Sequence, residues 1–324
     1  MRSIAAAMLL GATPLAAAAD PLPSWNATGP EAAIIDFVSR VSDPASPDFV
    51  PEAERIAVFD NDGTLWSEQP FYFQGLYALD RLREKAKADA SILADDAVRA
   101  AASGDMKAVT AAGEKGLLEV LDISHSGMTV EAFKADARDW LTTARHPTSG
   151  LTYAQMTYQP MLELLVYLRD NGFRTYIVSG GGVDFMRAIS GQAYGIPTWQ
   201  VIGSEGGTTY EVKDGVPTLR KEGGIGFVDD KAGKPVGIER RIGQRPIFAA
   251  GNSDGDFQML EWTTAGTGPR FGMIVHHTDA AREFAYDRDS AVGRLSEALD
   301  QAGPRGWTVV DMKADWSRIW TGGE

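Results

Sequence analysis

The 324-residue sequence contains no cysteine. That excludes disulfides, thiolate catalysis and thiolate metal ligation. Positive charge is scarce as well: 31 Lys and Arg face 44 Asp and Glu, a formal net charge of −13. No cluster of Lys and Arg offsets the balance, so the chain repels nucleic acid and acidic membrane surfaces. Small-molecule chemistry with a bound cation fits better. Long apolar runs are also missing. The longest early one, Ile4 to Leu15 after Arg2, is too short to cross a bilayer as a helix. Ala17-Ala18-Ala19 then offers a small-residue cleavage site before Asp20. Residues 1–19 therefore read as an export signal, and the expectation is a secreted or periplasmic protein without membrane insertion.

Hydrophobic residues make up 44% of the chain, enough for one large α/β domain plus a smaller insert. The apolar segments are short and stop abruptly. Arg55 to Phe59 ends at Asp60-Asn61-Asp62-Gly63-Thr64, and Tyr176 to Val178 ends at Ser179-Gly180-Gly181-Gly182. Ile247 to Ala250 ends at Gly251-Asn252-Ser253-Asp254-Gly255-Asp256, and Met273 to Val275 ends at His276-His277. Each reads as a buried strand. Between them, Pro160 to Asp170 carries an apolar stripe (Met161, Leu164, Leu165, Leu168) at helical spacing, and further helices are expected from Val183 and over Pro235 to Gly243. Alternating strands and helices predict a parallel sheet covered on both faces, with ligands beyond the carboxyl ends of the strands.

The stretch 75–150 has a different character. Leu76, Leu79 and Leu82 share one helix face; Phe133, Ala137, Trp140 and Leu141 share another after a Thr129 cap. It reads as a helical insert that lids the site, leaving 20–74 and 151–324 as the core. Gly206-Gly207 and Asp214-Gly215 mark a small β-hairpin over Gly203 to Leu219.

Asp60 and Asp62 stand two apart in extended chain, so their carboxylates point the same way. Close carboxylates repel unless a cation or proton relieves them. Mg²⁺, which takes oxygen ligands and a substrate phosphate, suits the pair. Asp60 is then the candidate nucleophile that accepts phosphate, and Asp62 the acid/base. Ser179 with Gly180 offers a hydroxyl and backbone N–H groups at a helix start, a phosphate site. Lys234 could neutralise both nucleophile and phosphate, with Lys231 as competitor. Asn252, Asp254 and Asp256 could complete the metal shell.

These residues together resemble the haloacid dehalogenase superfamily in its phosphatase branch. Phe59 to Leu65 matches its DxDGT signature, Ile177 to Gly180 its second motif, Lys234 its third, and Gly251 to Asp256 its fourth. The resemblance implies a three-layer, Rossmann-like α/β core with an inserted helical cap of the C1 type, as in phosphoserine and phosphorylcholine phosphatases. It implies Mg²⁺ held by a side-chain oxygen of Asp60 and the backbone carbonyl of Asp62, and an aspartyl-phosphate intermediate. One position departs: the fourth motif usually opens Gly-Asp, and here Asn252 follows Gly251. Asn252 or Asp256 is the expected further ligand, with Asp254 as alternative.

The expected activity is hydrolysis of a small phosphorylated metabolite. A phosphotransferase to alcohols, or a non-catalytic phosphate-ligand binder, are the alternatives. Trp66, Phe71 and Tyr72, beside Glu68 and Phe73, could hold a quaternary ammonium by cation–π attraction or simply pack at a hinge. Arg187 could contact substrate or pair on a helix surface. His125 and His146 could touch substrate, although facing solvent is the expectation, and His276 and His277 could support the site.

Overall fold

The computed structural model describes residues 20–104, 120 and 123–322. The expected export signal lies outside them. Strands β1 (Ile56–Phe59), β2 (Arg174–Gly182), β3 (Val201–Lys213), β4 (Val216–Phe227), β5 (Phe248–Gly251), β6 (Phe271–His276) and β7 (Thr308–Asp311) form one sheet in the order β4-β3-β2-β1-β5-β6-β7. All neighbours are parallel except β3 and β4.

β1 shows why the centre is buried on both faces. Ala57 and Phe59 join one apolar cluster, Ile56 and Val58 the other. The first is covered by α1 (Gly29–Ser42), through Ile34 and Phe37, and by the helix Gln159–Asp170, through Met161, Leu164 and Leu168. The second is covered by helices Gly233–Ile242, Phe257–Thr264 and Glu297–Arg305, through Ile238, Leu260 and Ala298. The result is the three-layer, Rossmann-like arrangement expected.

Between β1 and β2 the described elements are helical. They include α2 (Phe73–Ala88), α3 (Asp96–Ser103) and α4 (Val130–Thr143). Thr129 caps α4 by accepting from Ala132 N at 3.1 Å. Leu79, Leu82, Val98 and Ala101 form a small core of their own, whereas Phe133, Trp140 and Leu141 merge into the main one. The hairpin is longer than expected, because β4 runs on to Phe227. Its turn residues Asp214 and Gly215 have φ of 52° and 79°, the twist that two-residue hairpin turns need. Among the described residues, no helix is long and apolar enough to cross a membrane.

Candidate active site

Parallel pairing in register, Phe59 beside both Ala250 and Ile177, brings the tips of β1, β2 and β5 together. Asp60 leaves β1 with its N–H on Ala250 O at 2.9 Å. Lys234 reaches this rim from the first turn of its helix, with only 2% of its surface exposed. Its Nζ donates to Asp60 Oδ1 at 2.6 Å, Asp256 Oδ1 at 2.5 Å and Val178 O at 3.0 Å. Three bonds satisfy an ammonium completely. Lys231, the rival, is exposed.

Asp62 faces the second motif. Its Oδ1 accepts from the Trp66 indole N–H at 2.8 Å. Its Oδ2 points toward Gly181: a Cβ there would lie 3.4 Å from that oxygen and 3.5 Å from Ser179 Oγ. Ser179 Oγ accepts from Gly181 N at 3.1 Å. Gln74, in the first turn of α2, accepts from Gly182 N at 2.7 Å and so ties the insert to the same loop.

On the other side, Asn252 is buried against the turn at Gly63. Gly63 has φ 75°, and a Cβ there would fall 2.0 Å from Asn252 Nδ2, so both conformation and space require glycine. Asn252 Oδ1 accepts from Thr64 Oγ1 at 3.2 Å, and Nδ2 donates to Glu68 Oε1 at 2.6 Å. Tyr286 also donates to Glu68 Oε1, at 2.7 Å. Behind this layer the buried Glu283 accepts from Ser67 Oγ (2.8 Å) and Tyr158 (3.0 Å) through Oε1, and faces His277 Nδ1 at 3.1 Å through Oε2. His277 Nε2 lies 2.8 Å from Gly63 O.

Charge at this rim is unbalanced. Among the described residues, five carboxylates, Asp60, Asp62, Glu68, Asp229 and Asp256, lie at or beside this rim with one ammonium, that of Lys234. Burial, with Asp256 and Asp62 nearby, lifts Asp60 well above the ordinary carboxylate range against the pull of Lys234. Burial pushes Asp62 up to about 6 and Glu68 well above its usual value. Burial alone would lower Lys234, but Asp256 and Asp60 outweigh it and hold the ammonium above its ordinary range. Such a set calls for a further cation. Among the described residues no three His, Asp or Glu form a ready cage. The donors offered are instead two carboxylates, backbone carbonyls and an amide oxygen, which fits Mg²⁺, an ion usually bound by one or two carboxylates.

A family model of haloacid dehalogenase-like hydrolases matches residues 57–261, well over half of the chain. The chain belongs to this family. No curated protein matches. Among solved structures, this haloacid dehalogenase-like hydrolase is similar to a conserved protein of unknown function from Anaerococcus prevotii DSM 20548. Identity is 15% over 77% of this chain and 86% of that one, with a TM-score of 0.50, a likeness of fold. A protein of unknown function from Bordetella pertussis Tohama I matches at 20% identity over 80% and 99%, TM-score 0.48. A phosphoserine phosphohydrolase-like protein from Francisella tularensis SCHU S4 matches at 18% over 68% and 87%, TM-score 0.39.

Some expectations change on this haloacid dehalogenase-like hydrolase, and others resolve to one of their alternatives. Asp256 is not free for a metal: Oδ1 holds Lys234, and Oδ2 accepts from Asn252 N, Ser253 N and Ser253 Oγ. Asp254 caps the helix Glu297–Arg305 by accepting from Ser296 N and Ala298 N. Trp66 is buried on Asp62 rather than open to a ligand. Phe71 lies over Gly75, where a Cβ would meet its ring at 2.3 Å. Tyr72 remains exposed. Arg187 makes the surface pair expected as its alternative, with Asp184 at 4.0 Å, and also donates to the carbonyls of Thr198 and Val201. His146 is buried, not solvent-facing, with Nε2 2.8 Å from Gln69 O. His125 packs on Tyr77 and Phe133. Glu283, Gln74 and Tyr286 carry no local sequence signal. Glu68, noted only as an acid beside aromatics, turns out to be a partner of Asn252.

Proposed function

We propose that the chain is a Mg²⁺-dependent phosphomonoesterase of the phosphoserine and phosphorylcholine phosphatase kind, acting on a small phosphorylated metabolite. The observation that carries this reading is the convergence of Asp60, Lys234 and the Ser179 loop at one rim, with Asp62 facing that loop. Asp60 Oδ1 is held by Lys234, which leaves Oδ2 to attack phosphorus. Ser179 accepts from Gly181 N and so has its own hydrogen to donate to a phosphoryl oxygen, beside the N–H of Gly180. Asp62 gives its proton to the departing alcohol oxygen as the P–O bond breaks. It then takes a proton from the water that attacks the aspartyl-phosphate, releasing phosphate and restoring Asp60.

Asp60, the backbone carbonyl of Asp62 and Asn252 would hold Mg²⁺, which when bound neutralises charge on the phosphoryl oxygens. Helices α2, α3 and α4 act as a C1-type lid over the site, and residues 1–19 direct export. Release of p-nitrophenol from p-nitrophenyl phosphate, with and without Mg²⁺, is the test. Metal-dependent release is expected; none in either condition rejects the reading.

A further inference from the structure

Position 252 is where the family pattern puts an aspartate, and the chain has a neutral amide there. The structure places a carboxylate immediately behind that amide. Asn252 Nδ2 donates to Glu68 Oε1 at 2.6 Å, both residues being fully enclosed. An Asn amide has a donor end and an acceptor end, and its neighbours decide which way it faces. A flipped Asn252 would set its oxygen against the Glu68 carboxylate. The acceptor end is therefore fixed on the side of Thr64, whose hydroxyl lies 3.2 Å from Oδ1. Glu68 cannot turn away either. Tyr286 donates to the same oxygen at 2.7 Å, and a Cβ at Gly293 would lie 1.8 Å from it.

We propose that Glu68 is a positioning residue for the metal site: it orients the Asn252 amide and supplies, one hydrogen bond further out, the negative charge that residue 252 lacks. This rests on the Mg²⁺ reading above. The charge has moved from the ligand to the ligand's partner, and the pair together does what one aspartate does elsewhere. Two ionised carboxylates at 2.6 Å would repel, so an Asp at 252 beside Glu68 would have to share a proton with it or move apart.

Glu68→Gln separates orientation from charge, because a Gln Oε1 can still accept from Asn252 and Tyr286. Mg²⁺ affinity is read by titration calorimetry, and the melting temperature of the metal-free protein by circular dichroism. Glu68→Gln should weaken Mg²⁺ binding roughly tenfold to a hundredfold, the usual cost of losing a ligand's partner, without lowering the metal-free melting temperature. Adding Asn252→Asp to Glu68→Gln should recover most of that loss. Asn252→Asp alone should lower the metal-free melting temperature, and Glu68→Gln should restore it. Unchanged Mg²⁺ affinity in Glu68→Gln overturns the inference alone, as does a folded double variant that binds no better than Glu68→Gln. A wild type that binds no Mg²⁺ overturns the metal reading and this inference together.

Discussion

The centre and the edge of the sheet break the usual burial rule in opposite directions. At the tips of β1, β2 and β5, charged residues are enclosed: Lys234 is 2% exposed and Glu68 also 2%. On the outer part of the β3–β4 hairpin, apolar residues face water: Tyr210 is 65% exposed, Val212 57% and Leu219 44%. The two irregularities differ in cost. Enclosing an imperfectly paired charge is expensive, whereas an exposed apolar side chain merely forgoes burial. Of the two, the central cluster is the one that demands a functional explanation, and single substitutions should have larger effects there than on the hairpin.

Asp60→Asn probes that contrast hardest. It should lower phosphatase turnover by several orders of magnitude while leaving the melting temperature unchanged or raised, because it removes a charge from a crowded anionic rim. Near-normal turnover would reject Asp60 as nucleophile. Lys234→Met follows. It leaves Asp60 and Asp256 without their cation and should destabilise by about 3–5 kcal/mol in urea unfolding. A loss below about 1 kcal/mol would mean the ammonium is not what holds the rim together.

Trp66→Phe keeps an aromatic ring but removes the N–H that fixes Asp62. It should cost about tenfold in kcat/KM for alkyl phosphates, which need the leaving oxygen protonated, and far less for p-nitrophenyl phosphate. An equal loss on both would assign Trp66 to packing. The same split should appear with pH. Burial lifts Asp62 to about 6, so its proton is present below that pH and lost above it. The alkyl phosphate rate should therefore fall on the alkaline side while the p-nitrophenyl phosphate rate stays flatter. The smallest effect belongs to the edge. Tyr210→Ser with Leu219→Ser should shift stability by no more than about 0.5 kcal/mol and leave turnover alone. A larger loss would show that something covers the hairpin.

The sequence made the strand tips legible because each short apolar run ends in a polar turn. Asp60, Ser179 and Asn252 could be placed at one rim on that basis. It was blind to contacts that cross the chain. Glu68 lies 184 residues from Asn252, and Ser67 lies 216 from Glu283, so no local pattern relates them. Trp66 was read by its ring, whereas its indole N–H decides its place. Arg187 was read as a substrate contact or a surface pair; it pairs with Asp184 and also donates to two backbone carbonyls, which its charge did not announce. The four-residue β7, Thr-Val-Val-Asp, offers too little alternation to be read without its parallel neighbour β6.

The Glu283 carboxylate has a mechanical consequence. It clasps Ser67 and Tyr158, while Leu65 O accepts from Tyr158 N and Met156 O from Ser67 N. His146 meets Gln69 O where the outgoing and returning chains run side by side. Both stalks of the helical insert are thus riveted to the sheet and to each other at their base. Above those stalks Gln74 accepts from Gly182 N, and Phe133, Trp140 and Leu141 join the main apolar cluster, so the insert is held to the core above its base as well as at it.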